Sequence, residues 1–126
     1  MASILVVDDS PAVLKIVRLA LSSQGHNILI ASSGESALET LKSNPNIDLG
    51  IFDYNMPGLS GNELIKESKK IIKNSKFKIL VLSSEKKPEV ISKALFEGAD
   101  GWIVKPFKNE ELIKNVSELV EPDDAN

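Results

Sequence analysis

The chain has 126 residues, enough for one domain with a single core and too few for two comfortable ones. Apolar residues make up 42% and charged residues 26%, the values of a globular chain rather than a disordered or fibrous one. A net charge of −3 argues against a nucleic-acid surface, and the absence of cysteine excludes disulfides, thiolate metal sites and cysteine nucleophiles.

The first apolar run, "SILVV" (3–7), predicts a strand. It is five residues long, has no basic region before it and ends in acid, so it is neither a signal peptide nor a membrane span. A soluble, cytoplasmic chain is the expectation. Pro11 suits the first turn of a helix in which Val13, Leu14, Val17, Ala20 and Leu21 share one face, and Gly25 stops it. "NILIA" (27–31) predicts the second strand. His26, at its entry, falls at the end of the sheet away from the strand carboxyl ends and reads as a surface residue. "SSGE" (32–35) reads as a capping box, a serine with a glutamate three residues on, and opens the second helix.

"DLGIF" (48–52) predicts the third strand and "SGNE" (60–63) a second capping box. In the helix that follows, Leu64, Ile65, Ser68, Ile71 and Ile72 share a face. The lysines of "KESKKIIKNSKFK" (66–78) interleave with Ile71, Ile72 and Phe77 and read as a solvated helix face. "KILVL" (78–82) predicts the fourth strand; Pro88 opens the next helix and Gly98 closes it. "GWIV" (101–104) predicts the fifth strand, and Leu112, Ile113, Val116, Leu119 and Val120 line the last helix. The expectation is one domain over 1–121 and a C-terminal tail over 122–126, with no room for an effector domain after a helix ending near Val120.

The strand candidates are continuous apolar runs rather than alternating ones, as parallel strands covered on both faces require. Five strand–helix units imply a (βα)5 α/β fold, a doubly wound five-stranded parallel sheet with helices on both faces. Five units favour the flavodoxin-like order 2-1-3-4-5, whose ligands bind beyond the carboxyl ends of the strands at the switch point beside strand 1.

That rule directs attention to the strand ends. Asp8 and Asp9 follow strand 1, Asp53 follows strand 3, Ser83 and Ser84 follow strand 4, and Lys105 follows strand 5. Strands 1 and 3 are neighbours in this order, so three carboxylates converge. Two carboxylates about 5 Å apart repel by roughly 3 kcal/mol at an effective dielectric near 20. Such a cluster needs a proton, a lysine or a metal. A hard divalent cation fits best, because the donors are all oxygen and Mg²⁺ takes one or two carboxylates plus waters and phosphate oxygens. With Lys105 opposite, the rim suits a dianionic, oxygen-rich phosphoryl group, which an aspartate can carry covalently.

At "ILVVDDS", "DYNMPGLSG", "VLSSE" and "GADGWIVKPF" the chain resembles the receiver domain of two-component response regulators, specifically single-domain, chemotaxis-type (CheY-like) members, over residues 3–120. The resemblance implies that Asp53 is the phosphoacceptor, taking its phosphoryl group from a phosphohistidine of a sensor histidine kinase or histidine phosphotransfer protein. It implies Mg²⁺, or Mn²⁺ in its place, on Asp8, Asp9, Asp53 and the backbone carbonyl of Asn55. Lys105 then pairs with phosphoryl oxygens and Ser83 is the hydroxyl that moves to bond them. The Lys105–Pro106 peptide bond is implied to be cis. Asn55 and Glu85 are expected to tune dephosphorylation, and Trp102 stands where the family's switch aromatic is commonly Tyr or Phe.

No ordinary enzyme follows from this pattern, only a protein that catalyses its own phosphoryl transfer and autodephosphorylation. Output is expected through a protein surface of helix 4, strand 5 and helix 5, toward an unknown target. No nucleic acid or membrane partner is expected, and a monomer is favoured over a dimer. The alternatives are a docking or dimerisation module of pseudo-receiver type and the N-terminal receiver of a larger regulator. An aspartate-nucleophile hydrolase would place D-x-D after strand 1, and an FMN binder a hydroxyl- and glycine-rich loop there; "DDSP" is neither.

Overall fold

A computed structural model describes residues 1–120. Strands and helices alternate as β1 (Ser3–Val7), α1 (Pro11–Ser22), β2 (Asn27–Ala31), α2 (Gly34–Ser43), β3 (Leu49–Asp53), α3 (Gly61–Ile71), β4 (Lys78–Ser83), α4 (Pro88–Phe96), β5 (Gly101–Val104) and α5 (Asn109–Leu119). The strands form one parallel sheet in the order β2-β1-β3-β4-β5. This is the doubly wound (βα)5 arrangement that the alternation of runs predicts.

Each strand sends successive side chains to opposite faces, and two cores result. Leu5, Val7, Phe52, Ile79 and Val81 meet Ala37 and Leu41 of α2, Leu64 and Ile65 of α3 and Ala94 of α4. Ile4, Val6, Ile51, Leu80, Leu82 and Ile103 meet Leu14 and Val17 of α1 and Leu112 and Val116 of α5. The expected cover on both faces fails for β2. It is an edge strand, and Ile30 remains 44% exposed.

Element ends follow local chemistry with two shifts. Pro11 and Pro88 open their helices, and Gly25 (φ +88°) and Gly98 (φ +130°) adopt the left-handed backbone that ends α1 and α4. The α3 box forms on both sides: Glu63 N–H donates to Ser60 Oγ at 3.2 Å, and Ser60 N–H to Glu63 Oε1 at 3.1 Å. At α2 the cap is Ser33 rather than Ser32, with Ser36 N–H donating to Ser33 Oγ at 3.1 Å. Glu35 then lies in the first turn, where its charge complements the helix dipole. β3 and β4 each reach one residue further than their apolar runs, because Asp53 pairs with Leu82 and Ser83 with Val104. Ladder pairing here overrides the low strand preference of aspartate.

His26, expected at the surface, is half-buried, and its Nδ1 accepts the Ala2 N–H at 3.0 Å. No described helix is long and apolar enough to cross a membrane. The tail expected over 122–126 lies outside the described residues.

Candidate functional site

The order β1-β3-β4-β5 sets four carboxyl ends side by side, and each delivers a polar side chain to one rim. Asp8 follows β1 and is 1% exposed; Asp53 ends β3 at 7%; Ser83 ends β4 and is fully buried. Asp9 is exposed. Lys105 follows β5, and its backbone N–H donates to Ser83 O at 2.8 Å. The Lys105–Pro106 peptide bond is cis.

Asp8, Asp9 and Asp53 each offer a carboxylate oxygen within 4.8 Å of the others. Asp8 Oδ1 accepts the Ser10 N–H at 2.9 Å, and its Oδ2 lies 2.8 Å from Lys105 Nζ. The same ammonium is 3.7 Å from Asp53 Oδ1, which also accepts the Asn55 N–H at 3.2 Å. Burial pushes the Asp53 carboxyl above the usual 3.8, and Asp8 beside it pushes the same way. Lys105 and the Asn55 amide pull it back, Asp9 adds a smaller upward push, and the net displacement is upward. The rim is short of positive charge.

That shortage, with donors that are all carboxylate oxygens, suits a hard cation such as Mg²⁺ or Mn²⁺. The residues present therefore fit the metal that the resemblance implies.

Ser83 Oγ accepts two hydrogen bonds, from Glu85 N–H at 3.1 Å and from Asn55 Nδ2 at 3.3 Å. Its own proton serves neither bond. Asn55 thus touches Asp53 through its main chain and Ser83 through its side chain. Trp102 is half-buried; its indole N–H donates to Glu85 O at 3.2 Å. Sequence reasoning passed over what the indole packs on. Tyr54 and Trp102 have ring centroids 5.0 Å apart and planes tilted by 54°, and the Tyr54 hydroxyl donates to Asn62 Oδ1 at 2.7 Å. An aromatic residue directly after the acid of "DYNMPG" was the available signal.

A doubly wound sheet with an acid triad and a lysine at its carboxyl rim defines the receiver class of protein. The chain belongs to the response regulator receiver domain family, whose model matches residues 4–117. The "Two-component response regulator ORR11" of Oryza sativa subsp. indica is 36% identical over 117 residues, 93% of this chain and 80% of that protein. Chemotaxis protein CheY4 of Vibrio cholerae superposes with a TM-score of 0.87 at 34% identity, covering 95% of this chain and 99% of that one. NtrX from Brucella abortus gives 0.86 at 30% identity, covering 94% of this chain but 27% of that one. Members of this family are phosphorylation-dependent signalling switches of two-component systems rather than ordinary enzymes, and they interact with histidine kinases or phosphotransfer proteins.

Proposed function

We propose that the chain accepts a phosphoryl group on Asp53 from a phosphohistidine of a sensor histidine kinase or histidine phosphotransfer protein. An Asp53 carboxylate oxygen attacks phosphorus, the P–N bond breaks, and the imidazole leaves with its electron pair, to be protonated. The product is an acyl phosphate on Asp53, which water later hydrolyses. One observation carries this reading. Three acids converge within 4.8 Å at the rim, with one ammonium 2.8 Å from Asp8 and 3.7 Å from Asp53.

Asp8, Asp9, Asp53 and the Asn55 carbonyl would hold Mg²⁺ or Mn²⁺, which supplies charge neutralisation for the transferring oxygens. Lys105 leaves Asp8 for a phosphoryl oxygen, a charge-assisted contact that positions the group. Ser83 trades its two weak donors for a bond from its own hydroxyl to the phosphoryl group. That movement draws on Glu85 and Trp102, and so reaches the surface of α4, β5 and α5 that meets a target protein. Asn55 and Glu85 flank the path of attacking water and set the lifetime of phospho-Asp53. The receiver unit spans 1–121 and acts in the cytoplasm as a monomer.

Incubation with Mg²⁺ and acetyl phosphate should add one phosphoryl mass that is lost in Asp53→Asn. No added mass, with that donor and with a phosphorylated histidine phosphotransfer protein alike, would favour a docking module instead.

A further inference from the structure

Tyr54 shares a peptide bond with Asp53, yet the two side chains face different surroundings. Asp53 turns to the acids of the rim, while Tyr54 packs against the core beneath α2, α3 and α4. Its ring is fixed from two sides. The hydroxyl donates to Asn62 in the first turn of α3 at 2.7 Å. At Gly61 the ring and the main chain of Tyr54 pass where any other residue would carry its Cβ: a Cβ there would stand 2.5 Å from Tyr54 Cδ1, 2.7 Å from its carbonyl oxygen and 2.9 Å from Cε1.

On its free side the ring meets Trp102, at a separation and tilt that aromatic pairs favour. Trp102 donates to Glu85 O, and the Glu85 N–H donates to Ser83 Oγ. A closed path therefore leaves the Asp53 main chain through Tyr54, crosses to β5, enters the loop after β4 and returns to Ser83. Nothing in the phosphoryl chemistry uses its first step.

We propose that Tyr54 is a positioning residue: its ring is the fixed surface that holds Trp102 under the loop between β4 and α4. It acts through Trp102 and makes no contact with the phosphoryl group. The proposal rests on Trp102 belonging to the switch, so its test begins on the free chain.

Trp102 is the single tryptophan, so its emission reports the seat directly. In Tyr54→Leu the aromatic pair is lost, and the ratio of seated to released indole should fall about fivefold. The readout is stronger acrylamide quenching and red-shifted emission. Tyr54→Phe keeps the ring, loses only the bond to Asn62, and should restore most of the protection. Gly61→Ala presses on both the ring and the carbonyl oxygen of Tyr54 while keeping its side chain, and should also raise quenching, which keeps the test open if Tyr54→Leu folds poorly. With Mg²⁺ and beryllofluoride, a phosphoryl mimic, the emission change should shrink in Tyr54→Leu while acetyl phosphate labels Asp53 at an unchanged rate.

Quenching in Tyr54→Leu and Gly61→Ala equal to that of the unsubstituted chain overturns the proposal. So does a Tyr54→Phe variant as quenched as Tyr54→Leu, and so does slowed labelling in Tyr54→Leu, which would place residue 54 in the phosphoryl site itself. If beryllofluoride, acetyl phosphate and a phosphorylated histidine phosphotransfer protein all fail to act on the unsubstituted chain, the phosphoacceptor reading fails alone, and quenching still decides the ring seat.

Discussion

The described residues hold five aspartates, divided between the two rims of the sheet. At the amino rim, Asp48 precedes β3 and its Oδ2 accepts the Ser3 N–H at 2.9 Å. Asp100 precedes β5, and its Oδ2 accepts the Ile79 N–H at 2.9 Å and lies 3.3 Å from Lys69 Nζ. Each of these acids is matched to the end of a neighbouring strand and clamps the sheet. At the carboxyl rim, Asp8, Asp9 and Asp53 face one another with Lys105 between two of them. The same side chain is thus a staple at one rim and a source of repulsion at the other. Unrelieved charge is what suits the second rim to the cation and phosphoryl group proposed for it.

Substitution across the two rims should separate the roles. The largest effect is expected in labelling by acetyl phosphate: Asp53→Asn should lose it entirely, while Asp100→Ala should keep the rate of the unsubstituted chain. Equal loss in both would erase the distinction. Next comes metal linkage. At Mg²⁺ about 100-fold above its dissociation constant, the chain should gain about 2.7 kcal/mol in denaturant unfolding. Asp8→Asn should lose most of that gain, whereas Asp48→Ala should retain it.

Stability itself should then respond the opposite way at the amino rim. Asp100→Ala strands the Ile79 N–H and leaves Lys69 with Phe77 O alone as its hydrogen-bond acceptor among the described residues, at a cost of about 1–3 kcal/mol, and Asp48→Ala costs about 1 kcal/mol, both read as lower unfolding midpoints. The smallest effect is a gain. Asp53→Asn, measured without metal at pH 7, should be more stable by on the order of 1 kcal/mol, since it removes the burial of a charged carboxylate and then its repulsion by Asp8. Folding raises the Asp53 pKa, so between the usual 3.8 and the raised value the native state binds more protons than the unfolded one. Stability of the unsubstituted chain therefore falls as pH rises through that window, and the advantage of Asp53→Asn should grow across it and vanish below it.

Much of this was legible in the runs of residues. Continuous aliphatic stretches alternating with amphipathic ones are enough for a parallel sheet, and acids directly after such stretches stand out because they interrupt an apolar pattern. Asp48 and Asp100 interrupt it too, in "DLGIF" and "ADGWIV", but they precede their strands. In a parallel sheet that single difference in order selects the rim, and with it the role. The choice between Ser32 and Ser33 as a cap was not legible, since both present a hydroxyl one position apart and the backbone decides. Nor was the pairing of Tyr54 with Trp102, which depends on how far β3, β4 and β5 stand apart, a property of the assembled sheet rather than of either segment.

Lys105 reaches Asp8 across a separation of 97 residues, from the far edge of the sheet to a strand that β5 does not touch. During synthesis the three acids leave the ribosome long before the lysine that answers them. A chain extended only through β3 carries the three acids of the rim with no ammonium among them. The proposed site is therefore complete only once β5 has joined the sheet beside β4 and brought Lys105 to the rim.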